Sequence, residues 1–164
     1  MRSTPPIPNA IRNFRHPAYV NIYERYPDET RLFGTESLFG DWDAPLLFLA
    51  KDYAPIRIID DRAKCGCRRP YHHGHWEPDP TAMGARTNRF LASDASLVNA
   101  PALYGSIMGG LMRSDGKVRG NLPDFKNVLT DYSAAMLEFV VQHMANLSEI
   151  ICFGDEALNG VLRI

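Results

Sequence analysis

Asp52 is the carboxylate whose position most suggests chemistry. It ends the stretch LLFLAKDYAP (Leu46–Pro55), where an apolar run gives way to Lys51, Asp52, Tyr53 and a rigid Pro55. A carboxylate aimed from the end of a strand can orient or activate a water. The competing role is to cap the following turn, as aspartate often does. A second cluster lies in CGCRRPYHHGH, with Cys65, Cys67, His72, His73 and His75. Thiolates and imidazoles at this density could hold zinc in a tetrahedral site. Cys-x-Cys is a strained bite for one metal, and the second pair of a finger or ribbon is missing. A solvated basic loop without metal is therefore the expectation, with zinc in the Cys65–His75 loop as the alternative.

That loop also carries Arg57, Arg62, Lys64, Arg68 and Arg69, followed by Tyr71 and Trp76. Cations of this kind contact phosphates, and the rings can stack on bases. Arg113 and Lys117, in the turn sequence SDGKVRG, are further candidates for the phosphate backbone, although Asp-Gly is first a turn signal. His16 and His143 stand alone, and His143 is expected to be structural. Cys152, inside an apolar run, reads as a small core residue.

Bulk properties narrow the class. The chain has 164 residues and fits a single domain, 1–164, since domains usually run to roughly 100–200 residues. The formal net charge of -1 excludes a global basic field, though not a local patch. Three cysteines do not make a disulfide framework. No apolar run approaches the roughly 18 residues that cross a membrane, and the N-terminus lacks a secretory h-region. The expected address is cytoplasmic. No phosphate-binding P-loop, dinucleotide-binding glycine fingerprint or nucleophile elbow occurs.

The elements that must position these residues can be read from periodicity. Residues 1–15 form a proline-rich stretch expected to be an extended arm. HPAYVNIYERYP (His16–Pro27) reads as a short helix or an irregular docking segment, and LFGTESLFGDWDAP as loop. Leu46–Ala50 is short and wholly apolar, as in a parallel strand covered on both faces. Residues 53–84 form a long loop on the active-site side. Thr87 opens the predicted helix TNRFLASDASLV, and ALYGSIM (Ala102–Met108) is a second strand. Apolar residues at Phe125, Val128, Leu129, Tyr132, Met136, Phe139, Val140 and Met144 give the stripe of an amphipathic helix. SEIICFG (Ser148–Gly154) is a third strand, and Asp155 is expected to cap a final helix, DEALNGVL. Strands alternating with helices predict an α/β fold, a three-layer α/β/α sandwich around a mainly parallel sheet.

With these pieces in place, the chain resembles the uracil-DNA glycosylase superfamily. LLFLAKDYAP resembles its first motif, a strand ending in the loop that holds the catalytic acid or water-positioning residue. TNRFL (Thr87–Leu91) is similar to the helix start after the pocket loop, and IICFGDEAL (Ile150–Leu158) to the late strand-glycine-helix segment. The resemblance spans roughly residues 40–160 and implies base excision: a deaminated or damaged base is flipped out of DNA and its N-glycosidic bond hydrolysed. It implies that Asp52 orients the water or stabilises the developing sugar cation. Lys51, Tyr53, Asn88 and Ser106 would border the base. Arg57, Arg68, Arg69, Arg113 and Lys117 would meet the backbone. Ser106 stands nearest to the position where better-studied branches read the base with asparagine. Lys51 replaces a small or amide residue, and the late histidine-proline-serine type loop has no counterpart here. Three cysteines cannot supply a four-cysteine iron–sulfur site. The implied partner is single- or double-stranded DNA, with no membrane and the chain as a monomer or weak homodimer. The alternative is a relative that holds nucleic acid or a base without cleaving it.

Overall fold

Five consecutive apolar residues, Leu46–Ala50, need cover on both faces, and they find it in the interior of a sheet. The computed structural model describes residues 5–26, 38–51, 60, 100–117 and 121–164. In chain order its elements are α1 (Asn9–Arg12), β1 (Tyr19–Asn21), α2 (Ile22–Arg25), β2 (Leu38–Gly40), β3 (Leu46–Ala50), β4 (Ala102–Ser106) and β5 (Leu111–Arg113). They continue with α3 (Phe125–Val128), a π-helical turn (Leu129–Ser133), α4 (Ala134–His143), β6 (Glu149–Phe153) and α5 (Asp155–Val161).

The main sheet has the order β2-β4-β3-β6. β3 pairs in parallel with both β4 and β6, and β2 lies antiparallel on the outside of β4. The expected mixed α/β architecture with a mainly parallel sheet is therefore present. Strand burial follows position: Leu46 to Leu49 in the interior strand are all buried, whereas β6 at the edge is only partly covered.

Each strand feeds two clusters, because successive side chains point to opposite faces. Leu47, Leu49 and Leu103 join Met136, Leu137, Val140 and Ala157 from α4 and α5 in the larger core. Each large aliphatic buried there contributes about 1.5–3 kcal/mol relative to exposure. Leu46, Phe48, Ala102 and Tyr104 form the second cluster on the opposite face. There the Phe48 ring stacks on Tyr104 at 5.0 Å and on Phe153 at 5.9 Å between centroids. No helix among the described residues packs on this second face.

The predicted amphipathic helix is observed, with a feature its stripe explains. Val128, Tyr132, Met136, Val140 and Met144 recur at every fourth residue and are all buried. An α-helix takes 3.6 residues per turn, so a four-residue repeat drifts around the axis by about 40° at each step. The wider π-turn at Leu129–Ser133 winds more slowly and returns the stripe to the sheet. Leu137, which the stripe omits, is buried beside it.

The N-terminal region departs from expectation. The stretch read as an extended arm contains α1, and its Ile11 is fully buried in the main core. His16–Pro27 holds β1 and α2 rather than helix or coil alone, and β1 pairs antiparallel with β5 in a separate ribbon. Asn21 organises this region. Its buried amide Nδ2 donates to the carbonyls of Ile11 (2.8 Å), Phe14 (3.1 Å) and Arg12 (3.2 Å). Its Oδ1 accepts from the Tyr23 amide at 3.0 Å, capping α2. β2 also lies in a segment that the sequence presents as loop. Among the described residues no helix is long and apolar enough to cross a membrane.

Candidate functional site

The parallel register brings three strand ends level. Ala50 pairs with Ser106 on one side and with Phe153 on the other. The chain leaves β3 for β4 on one flank, then leaves β4 for β6 on the opposite flank, so its direction of travel reverses at β3. Open α/β sheets bind ligands outside the carboxyl ends of their strands at such a reversal.

Lys51 and Ser106, both expected at the base, meet at this edge. Lys51 follows Ala50 directly, and its Nζ lies 3.3 Å from Glu156 Oε1 in the first turn of α5. Both side chains are partly exposed, so the pair is a weak tie. Glu156 is held below the ordinary glutamate range, first by the hydrogen bond from its own backbone amide and then, against a desolvation cost, by Lys51. Gly154 turns the chain between β6 and α5 with φ at 106°, a conformation that glycine tolerates. Gly154 occupies the cap position and no side chain caps this helix, which corrects the expectation that Asp155 would do so.

Ser106 is 3% exposed, and its Oγ has no hydrogen-bond partner among the described residues. Buried hydroxyls are normally satisfied, so this one is set apart. The backbone around it is tightly fixed. Ala50 O accepts from Ile107 N at 2.9 Å, Lys51 O from Met108 N at 3.2 Å, and Ser106 O from Gly109 N at 2.9 Å. Behind this turn the Tyr132 hydroxyl donates to Gly109 O, and Ser133 Oγ lies 3.7 Å from Met108 Sδ.

Arg113 and Lys117 do not join the sheet edge. Arg113 lies in β5 and is nearly buried, with Nη2 and Nε at 2.6 and 3.0 Å from the Asp115 carboxylate and Nη1 at 3.3 Å from Asn121 O. This bidentate grip lowers the Asp115 pKa. Lys117 is exposed, and its amide donates to Asp115 Oδ1 at 3.1 Å. The other candidates, Asp52, Tyr53, Asn88, Arg57, Arg68 and Arg69, lie outside the described residues, as do Cys65, Cys67, His72 and His75. Among the described residues no group of three or more His, Cys, Asp or Glu side chains could hold a metal.

The two isolated histidines have structural roles. His16 Nδ1 accepts from the Ala18 amide at 3.2 Å, so Nε2 carries the proton donated to Asp124 Oδ2 at 3.0 Å. Both ring nitrogens are thus engaged. His16 also lines a groove of about 560 Å³ with Phe14, Tyr19 and Glu24. Nδ1 of His143 donates to Phe139 O at 2.8 Å, and its ring lies edge-on to Trp42.

Sequence reasoning missed Glu156 and Tyr132. Glu156 had a signal, an acidic residue in the first turn after a strand-glycine step, but nothing local names Lys51 as its partner. Tyr132 reads as one more ring of the apolar stripe. No family model, no curated protein and no solved structure matches the chain.

Proposed function

We propose that the chain is a uracil-DNA glycosylase-like hydrolase that cleaves the N-glycosidic bond of a flipped, deaminated or damaged base in DNA. The observation that carries this reading is the Ser106 hydroxyl, buried at the carboxyl edge beside the end of β3 and without a partner among the described residues. A buried hydroxyl of this kind suits a site completed by a polar edge of a ligand. β3 leads directly into Lys51 and then Asp52, the proposed water-orienting carboxylate. Because Glu156 offsets the charge of Lys51, the edge suits a neutral heterocycle better than a phosphate. Tyr53 and Asn88 complete the base contacts, and Arg57, Arg68, Arg69 and Lys117 meet the backbone. The whole domain is then a three-layer sandwich of the glycosylase type.

Asp52 deprotonated beside the sugar would orient the attacking water and offset the positive charge that grows as the bond to the base breaks. The test is release of uracil from single- and double-stranded DNA by the wild type beside Asp52→Ala. The expected outcome is release that falls by about a hundredfold or more without the carboxylate.

The alternative is a protein that holds a base or nucleic acid without cleaving it. Arg113, expected on a phosphate, is engaged by Asp115, so on either reading backbone contact falls to the other cations. Binding that survives Asp52→Ala, with no release by the wild type, would establish that alternative.

A further inference from the structure

The π-turn does more than rephase the long helix, because it sets Tyr132 and Ser133 against the turn that follows β4. That turn, residues 107–110, is held from two sides. In front, the carbonyls of Ala50 and Lys51 accept from Ile107 and Met108; behind, the Gly109 carbonyl accepts from the Tyr132 hydroxyl. Gly110 permits the close approach: its φ is 85°, and a Cβ there would lie 3.1 Å from Tyr132 Oη and 2.4 Å from Tyr23 Cε2.

We propose that Tyr132 is a positioning residue for the base site, fixing through Gly109 the turn that holds Ser106 level with Ala50 at the end of β3. Resting on the glycosylase-like reading, this assigns to the helical layer the alignment of the base reader. Tyr132 never touches the substrate. Its hydroxyl is fully buried, and desolvation raises its pKa well above the ordinary tyrosine range, so it stays a donor throughout the neutral range. Tyr132 holds the carbonyl of Gly109 and Ser106 O accepts from the N–H of the same residue at 2.9 Å, so a displacement of Gly109 passes to Ser106 across that residue and one hydrogen bond.

The test uses Tyr132→Phe in the full chain, with two readouts. Amide hydrogen exchange at Ile107, Met108 and Gly109 should quicken about tenfold, the effect of losing one buried hydrogen bond, while exchange across the β3–β6 ladder stays the same. On uracil-containing single-stranded DNA, KM for base release should rise with little change in kcat, and this effect should vanish in a Ser106→Ala background. Unchanged exchange at these amides would overturn the inference whatever the activity. Effects of the two substitutions on KM that simply add would also overturn it, since a positioning residue acts only through the group it positions. A wild type that releases no base would sink the glycosylase reading separately, and the exchange result would still decide whether Tyr132 fixes the turn.

Discussion

Lys51 and Glu156, far apart in sequence, meet across the boundary between β3 and β6 with Nζ and Oε1 3.3 Å apart. Their partial exposure makes the pair a minor contributor to stability. Its consequence is electrostatic: a lysine at the mouth of the candidate site is kept close to charge balance. Glu156→Gln should change stability by less than about 1 kcal/mol. It should also free one cation for a phosphate, steepening the log–log salt dependence of single-stranded DNA binding by about 0.7. Titrations at several salt concentrations measure this directly, and an unchanged slope would place Lys51 away from the backbone.

Ser106→Ala should separate stability from recognition. Removing a buried hydroxyl that has no partner among the described residues takes away a desolvation cost, so the melting temperature should hold steady or rise. Base release should fall in the same variant. A fall in melting temperature equivalent to more than about 1 kcal/mol would mean that the hydroxyl is satisfied in solution.

Two glycines allow a controlled comparison. Gly110 and Gly116 both have positive φ, at 85° and 68°, but a Cβ at Gly110 meets Tyr23 at 2.4 Å while none has a neighbour within 4 Å at Gly116. Gly116→Ala should cost about 1 kcal/mol from backbone strain alone. Gly110→Ala adds steric displacement of two tyrosines and should cost about 3 kcal/mol or more. Denaturant midpoints of the two variants give the difference.

Asn21→Ala should be among the most damaging polar substitutions. It leaves the carbonyls of Ile11, Arg12 and Phe14 without their donor and removes the cap of α2, for a combined loss of about 2–4 kcal/mol. A chemical denaturation curve checks the magnitude, and limited proteolysis near Arg12 checks the location.

Acid should weaken the fold through three carboxylates. Glu156, Asp115 and Asp124 all have lowered folded pKa values; the first causes are Glu156's own amide, Arg113 and His16. A depressed folded pKa stabilises fully above the ordinary values of 4.5 for Glu156 and 3.8 for the aspartates, and the contribution is lost as pH falls through the lower folded ones. Stability should therefore decline on acidification below the ordinary carboxylate range. Replacing Asp115 by Asn should flatten that decline.

What could be read in advance follows from how local the physics is. Leu46–Ala50, Ala102–Ser106 and Glu149–Phe153 were legible because parallel strands write themselves as short apolar runs, even where, as in β6, the edge is only partly covered. The long helix was legible because its stripe repeats within one segment. β1 and β2 were not, since three-residue strands exist only by virtue of distant partners, β5 and β4. The site follows the same rule. The strand ends that carry Lys51 and Ser106 could be read from the apolar runs, and their roles at a base rest on the resemblance, whereas the Lys51–Glu156 and Arg113–Asn121 contacts depend on folding. Arg113 and Asp115 are both plain in the sequence, but the bidentate pairing between them appears only in the folded turn.

The π-turn also makes the register of the long helix a discrete setting. One residue deleted between Leu129 and Ser133 would let the helix close into ordinary α geometry. Val128 and Met136 would then stand seven residues apart, about 700° of rotation, so Met136, Val140 and Met144 would still face the sheet together with Val128. A further residue inserted in α geometry would instead turn the far half of the helix by about 100° and carry the stripe off the sheet. The helix therefore carries one residue of slack between two fixed marks, the Gly109 carbonyl and the sheet core. Its length can shorten by that residue but cannot grow.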